Sequence, residues 1–213
     1  MKKLGFTLAE VLITLTIVGV IAAITLPSIS ANVQKKSIGP TLAKAVNNLE
    51  TSNRIMMQEA GVTNLKTAIA QRVSKEDEKG DVTGYYTQLL ETTLQGCLNE
   101  GLNTFITKDG IEYKVTEKPL KDSSPAITLE DKYAYKYWVV DIDTNGTGSG
   151  ADKEGFDKFQ VLVDNLGAVI PVGGNEYKRY MGSAADSTLK CDTDTQTLGC
   201  TGKIADNGWK IMY

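Results

Sequence analysis

The chain has 213 residues, 41% hydrophobic and 23% charged, with a formal net charge of −3, room for one soluble domain plus an appendage. The charge is too small and of the wrong sign for a nucleic-acid binder. Histidine is absent from the sequence, which removes Ser-His-Asp and Cys-His catalysis and His-ligated zinc, and leaves an enzyme only carboxylates, lysine or tyrosine to work with.

The first element is an apolar run. Lys2 and Lys3 precede Phe6–Leu26, 21 residues whose one charge is Glu10. At about 1.5 Å per residue the run spans roughly 30 Å, a bilayer's hydrocarbon thickness. Three readings compete. A secretory signal peptide fits the basic start, but the run is long for one and Glu10 interrupts it. An ordinary single-span anchor, with the lysines cytoplasmic, leaves a carboxylate at depth unexplained. In the third reading Glu10 has a partner. If the chain is cut after Gly5, the new α-ammonium of Phe6 lies one helical turn away, on the same chain or a neighbouring copy, and a carboxylate suits the positive end of the helix dipole.

The stretch KKLGFTLAEVLITLTIVGVIAAITLP resembles the class III signal of type IV pilins and type II secretion pseudopilins. That resemblance implies a prepilin peptidase that cuts after Gly5 and methylates Phe6, and it makes Glu10 the assembly glutamate. Gly19 and Pro27 match helix-weakening positions of the family. The implied division is a leader at 1–5, a transmembrane and assembly helix at 6–26, the soluble half of a long helix at 27–58, and a globular head at 59–213. Cleavage removes Lys2 and Lys3, leaving 21 of the 23 basic residues against 26 acidic ones, or −5.

Beyond Pro27, the residues Leu42, Val46, Leu49 and Met56, with Ala45 and Met57 beside them, recur on one helical face. Gly61 is a natural stop. Gly39-Pro40 is the weak point, where a bend or a fresh helical start is expected. Residues 61–84 read as a solvated loop or short helix. Tyr86, Leu89, Leu90, Leu94 and Cys97 then form a second helical stripe, with Cys97 expected as a buried small hydrophobe.

From Thr104 the period shifts to two. TFITKDGIEYKV reads as two strands around Asp109-Gly110, KPLKDSSP as loop, KYAYKYWVVDID as a strong strand, and DKFQVLVDNLGAVIPVG as strand, turn, strand. The expected fold class is α+β and pilin-like. Its long N-terminal helix packs on an antiparallel sheet of three to five strands.

Between these strands, DIDTNGTGSGAD sets Asp141, Asp143, Asn145 and Asp152 at spacings that mimic a calcium loop. Aspartate stands where the closing glutamate belongs, and no helices flank it, so it is not an EF-hand. The resemblance keeps calcium open as a cofactor, because major pseudopilins hold calcium near their sheet; Asp157 would be a further ligand. The other reading is a turn in which Asp and Asn bond their own backbone.

Near the end, Cys191 and Cys200 bracket the polar stretch CDTDTQTLGC. It is a short disulfide loop in an oxidising compartment and a pair of free thiols otherwise. The ending resembles the disulfide-bounded C-terminal region of pilin-like proteins, with Trp209 and Ile211 plugging the core.

The implied function is a structural subunit of a type IV pilus or type II secretion pseudopilus, not an enzyme. Its partners would be the prepilin peptidase, other copies of itself, related pilins or pseudopilins and an inner-membrane assembly platform, with no nucleic acid. It would sit as a single pass in the inner membrane, head in the periplasm, before joining a periplasmic pseudopilus or a surface pilus. A minor priming or tip subunit, a DNA-uptake pilin and an enzyme with a pilin-like anchor are the alternatives.

Overall fold

The computed structural model describes residues 7–72, 82–99, 103–118, 137–146, 152–182, 185–192 and 194–211. Two units divide the chain, residues 1–37 and residues 38–213. The first helix, α1 (Leu8–Ala60), begins in the first unit and ends in the second.

Within the second unit, α1 places Leu42, Ala45, Val46, Leu49 and Met56 in the core, with Met57 half-buried beside them. This is the face the spacing predicts. Pro40 neither ends α1 nor starts a new helix: α1 runs on through Gly39 and Pro40. Proline costs the helix one amide, but its fixed φ is compatible with helical backbone. Gly39 has a packing reason. A Cβ there would lie 2.0 Å from the backbone carbonyl oxygen of Trp209, so only glycine admits the C-terminal strand of chain at that point. The helix stops where expected. Gly61 takes φ +66 and donates its N–H to the Gln58 carbonyl, while the Val62 N–H reaches Met57, the two bonds of a Schellman cap.

Two short helices follow, α2 (Leu65–Arg72) and α3 (Val82–Leu94). Leu65, Ala68 and Ile69 are buried, so α2 belongs to the core rather than to a solvated loop. The charged run at 74–81 lies outside the described residues, as does most of KPLKDSSP. Helix α3 contributes Tyr86 and Leu90 to the core, with Leu89 and Leu94 packed against it. The stripe ends one residue before Gln95, whose φ of +54 turns the chain. Cys97 therefore lies on a strand, and it is exposed and free, not buried.

Among the described residues the sheet has six antiparallel strands in sequence order. These are β1 (Cys97–Asn99), β2 (Thr104–Ile106), β3 (Glu112–Lys118), β4 (Tyr137–Asp143), β5 (Lys158–Val163) and β6 (Val169–Pro171). Every strand after Asn99 falls on a stretch read as strand; β1 raises the count above the expected range. Both faces are covered near the middle. Trp138, Val140, Ile142, Phe159 and Val161 join the α1 side, and Val139, Leu162 and Ile170 pack with Tyr177 and Met181 of α4 (Asn175–Met181). That explains why WVV in β4 reads as an unbroken apolar run.

The disulfide Cys191–Cys200 is formed, with an S–S distance of 2.07 Å, and Cys200 opens α5 (Cys200–Asp206). Trp209 and Ile211 pack against the core cluster as expected.

One polar side chain ties three parts of the head together. Asn53 is fully buried on α1. The Tyr86 hydroxyl donates to its Oδ1 at 2.7 Å, and its Nδ2 donates to the Gly167 carbonyl at 3.0 Å. Burial pushes the Tyr86 hydroxyl pKa well above its ordinary value. Replacing Asn53 by alanine strands both partners in a dry site, and each lost bond of this kind costs roughly 1–3 kcal/mol. Urea unfolding of Asn53→Ala is expected to show a loss of about 2–4 kcal/mol. A loss below about 1 kcal/mol would mean that water replaces the amide.

Candidate functional site

The N-terminal segment is apolar around its whole circumference. Leu8–Thr25 has a mean hydropathy of 2.3, and Leu8, Leu12, Leu15, Val18, Ile21 and Ile24 are exposed. A helix apolar on every side suits lipid or a bundle of like helices. Its polar atoms are turned inward on themselves. The hydroxyls of Thr14, Thr16 and Thr25 donate to the carbonyls of Val11, Leu12 and Ile21 at 2.8–2.9 Å.

Glu10 sits in the first turn of this helix. The backbone N–H of Thr7 donates to its Oε2 at 2.8 Å and the Thr7 hydroxyl donates to the same oxygen at 2.9 Å. In return the Glu10 N–H donates to Thr7 Oγ1 at 3.3 Å. This is a capping box, in which the first residue before the helix and the third within it satisfy each other's free donors. The pattern T-x-x-E is plain in the sequence and predicts this arrangement, yet attention to a partner chain passes it over. Gly5 and Phe6 lie outside the described residues. Gly19 and Pro27 fall inside α1, which continues through both; a Cβ added at Gly19 would meet no neighbour within 4 Å.

The second candidate lies at the end of β4. Asp141 faces away from the α1 core and accepts from Gln160 Nε2 at 2.7 Å. Asp143 is buried and accepts the backbone N–H groups of Asn145 at 3.2 Å and Gly146 at 3.0 Å. Burial raises the Asp143 carboxyl pKa; its two amide bonds work the other way, and the charges of Asp157 and Asp152 add to the rise. Asp157 is also buried and accepts the Lys153 N–H. Asp152 pairs with Lys158 at 3.1 Å, and that bond holds the Lys158 ammonium pKa above its usual value. Glu112, Lys114, Asp141, Asp143, Lys158 and Gln160 line a groove of about 350 Å³ on this outer face.

Among the described residues, no group of three or more acidic side chains is placed to hold a metal. Asp141 accepts from an amide, Asp143 from two amides, Asp157 from one, and Asp152 pairs with a lysine, so each is already engaged. The bonds of Asp143 and Asp157 to nearby backbone N–H groups are those of a turn; residues 147–151, the middle of the expected calcium loop, lie outside the described part.

Residues 1–26 match the family model described as the prokaryotic N-terminal methylation motif, the prepilin signal of type IV pilins and pseudopilins. Neither a curated protein nor a solved structure matches the chain. The motif fits a type IV pilin or pseudopilin precursor, a structural subunit rather than an enzyme, and it implies processing by a peptidase and assembly with other pilin subunits. One apolar helix suits a single-pass membrane anchor.

Calcium titrated to millimolar levels into the detergent-solubilised chain is expected to give no saturable heat. A saturable signal that Asp143→Asn abolishes would assign the ion to this loop after all.

Proposed function

We propose that this chain is a structural subunit of a type IV pilus or type II secretion pseudopilus, built into the filament through its N-terminal helix. The observation that carries this reading is the prepilin signal at residues 1–26, with Glu10 in the first turn of a helix that is otherwise apolar on all sides.

The chemistry of that carboxylate explains the sequence of events. A charged side chain at bilayer depth costs about 3 kcal/mol or more when nothing meets it. In the single chain, Thr7 offers Glu10 an N–H and a hydroxyl, and the helix N-terminus offers its dipole. The chain can therefore wait in the inner membrane, head in the periplasm, without an unsatisfied charge. Cleavage after Gly5 by the prepilin peptidase exposes the α-ammonium of Phe6, which is then methylated and still positive.

In a filament the helices leave lipid for a bundle of copies, and their apolar surface stays out of water throughout. Carboxylate and ammonium then set the register. A neighbour's Phe6 ammonium neutralises Glu10 only when the two chains are level, and repetition of one such step gives an open helical polymer. An inner-membrane assembly platform would supply the work of extraction.

In cells, Glu10→Gln is expected to insert and be cleaved like the wild type but to yield few or no sheared filaments. Gly5→Val, the processing control, should run as uncut precursor on a gel. Normal filament yield from Glu10→Gln would overturn the role given to the carboxylate.

A further inference from the structure

Two Asn-Gly pairs occur in the sequence, Asn145-Gly146 and Asn207-Gly208. Asparagine is among the thermolabile residues, and a following glycine exposes it most, because no Cβ shields the glycine amide. In the reaction the glycine nitrogen gives its proton to solvent base and attacks the side-chain carbonyl carbon of asparagine. A C–N bond forms to the backbone, the C–N bond to the side-chain amide breaks, and ammonia leaves. Water then opens the succinimide at either carbonyl to give aspartate or isoaspartate, with no change in oxidation state. The attack requires a glycine nitrogen that can lose its proton and swing toward the side chain.

At Asn145 the fold opposes both requirements. The residue itself is exposed, so water reaches it, while Gly146 is buried. The Gly146 N–H is donated to Asp143 Oδ1 at 3.0 Å, and the Asn145 N–H to the same oxygen at 3.2 Å. The preceding amide, Thr144 N–H, is held by the Asp157 carbonyl at 2.9 Å. Three successive amides are thus fixed, and the reactive one faces a carboxylate oxygen that favours retention of its proton.

We propose that Asp143 is a positioning residue that protects Asn145 from deamidation, so that Asn145-Gly146 is a latent modification site. Conversion would add a carboxylate next to Asp143, beside the charges of Asp152 and Asp157.

The test is incubation of the full-length protein in detergent at mildly alkaline pH, with peptide mass spectrometry for the amide-to-acid mass gain and an isoaspartate assay. The wild type should convert at Asn145 much more slowly folded than in urea. Asp143→Ala should speed conversion at Asn145 about tenfold or more, the factor a hydrogen bond to a charged group is worth. Asn207, whose Gly208 N–H is donated to the Ala205 carbonyl at 3.0 Å, should keep its rate in the same sample. Asp143→Asn, which retains an acceptor at Oδ1 but loses the charge, should fall between the wild type and Asp143→Ala. An unchanged rate in Asp143→Ala would overturn the proposal. So would equal acceleration at Asn145 and Asn207, since protection would then belong to the fold at large, or an Asp143→Asn rate matching that of Asp143→Ala.

Discussion

A carboxylate inside an apolar helix must be met by donors within reach, and that requirement organises the N-terminal segment. Thr7 meets Glu10 from within the same chain through an N–H and a hydroxyl. This partnership is available only at a helix start, where four backbone N–H groups lack intrahelical partners. Three residues further along, the same glutamate would face closed backbone and lipid. The position of Glu10 is therefore as informative as its charge. It lies at a helix start, where Thr7 of the same chain meets it and where the proposed amino terminus at Phe6 would be about one helical turn away. The intramolecular box uses one carboxylate oxygen, Oε2, so the proposed intermolecular ion pair can form at the other oxygen without opening the box.

The same helix changes its chemistry along its length. From Leu8 to Ile24 apolar side chains point in every direction, whereas Leu42, Ala45, Val46, Leu49 and Met56 share one face and are buried. The first pattern has no preferred side and accepts lipid or other helices. The second packs into a core shared with α2, α3 and the sheet, and the Asn53 amide, bonded to Tyr86 of α3 and to Gly167 between β5 and β6, fixes how these parts dock. A buried amide with two satisfied bonds tolerates little sliding, because any shift leaves Tyr86 or Gly167 without its partner in a dry site. Apolar contacts supply attraction between α1 and the sheet, and the polar link at Asn53 supplies registry.

Much of this was legible in the residues, and the failures share a cause. Periodicity located the α1 face, the hairpins at Asp109-Gly110 and Asn165–Gly167, and the stop at Gly61, because each has a local signal. It carried the α3 stripe too far, to Cys97. The break comes from Gln95 in a left-handed conformation, and a non-glycine residue gives no warning of that. No fresh helical start occurs at Gly39-Pro40, and the glycine answers a contact with Trp209, 170 residues away in sequence. Asn53 gave no signal, since its partners at Tyr86 and Gly167 are remote. The acidic loop matches a cation pattern in spacing, but spacing does not say which way oxygens turn; backbone amides meet Asp143 and Asp157 and Lys158 meets Asp152. The capping box at Thr7 was the reverse case, local and readable in four residues.

The C-terminal disulfide bears on which side of a membrane the head would occupy. The stretch between Cys191 and Cys200 is polar apart from Leu198, which is half-buried, so it contributes little apolar burial of its own. A crosslink closing a loop of this length restricts the unfolded chain by roughly 2–3 kcal/mol in the chain-entropy account, and it anchors the loop at Cys200, a fully buried residue. Such a bond persists in oxidising compartments and is reduced in a cytosol. Separately, Lys2 and Lys3 ahead of the apolar run favour a cytoplasmic start, because basic residues next to a span resist transfer. With one span between them, a cytoplasmic start and an oxidised head require opposite sides of the membrane. Thiol chemistry and charge retention are unrelated rules, and both favour the same orientation for the proposed subunit.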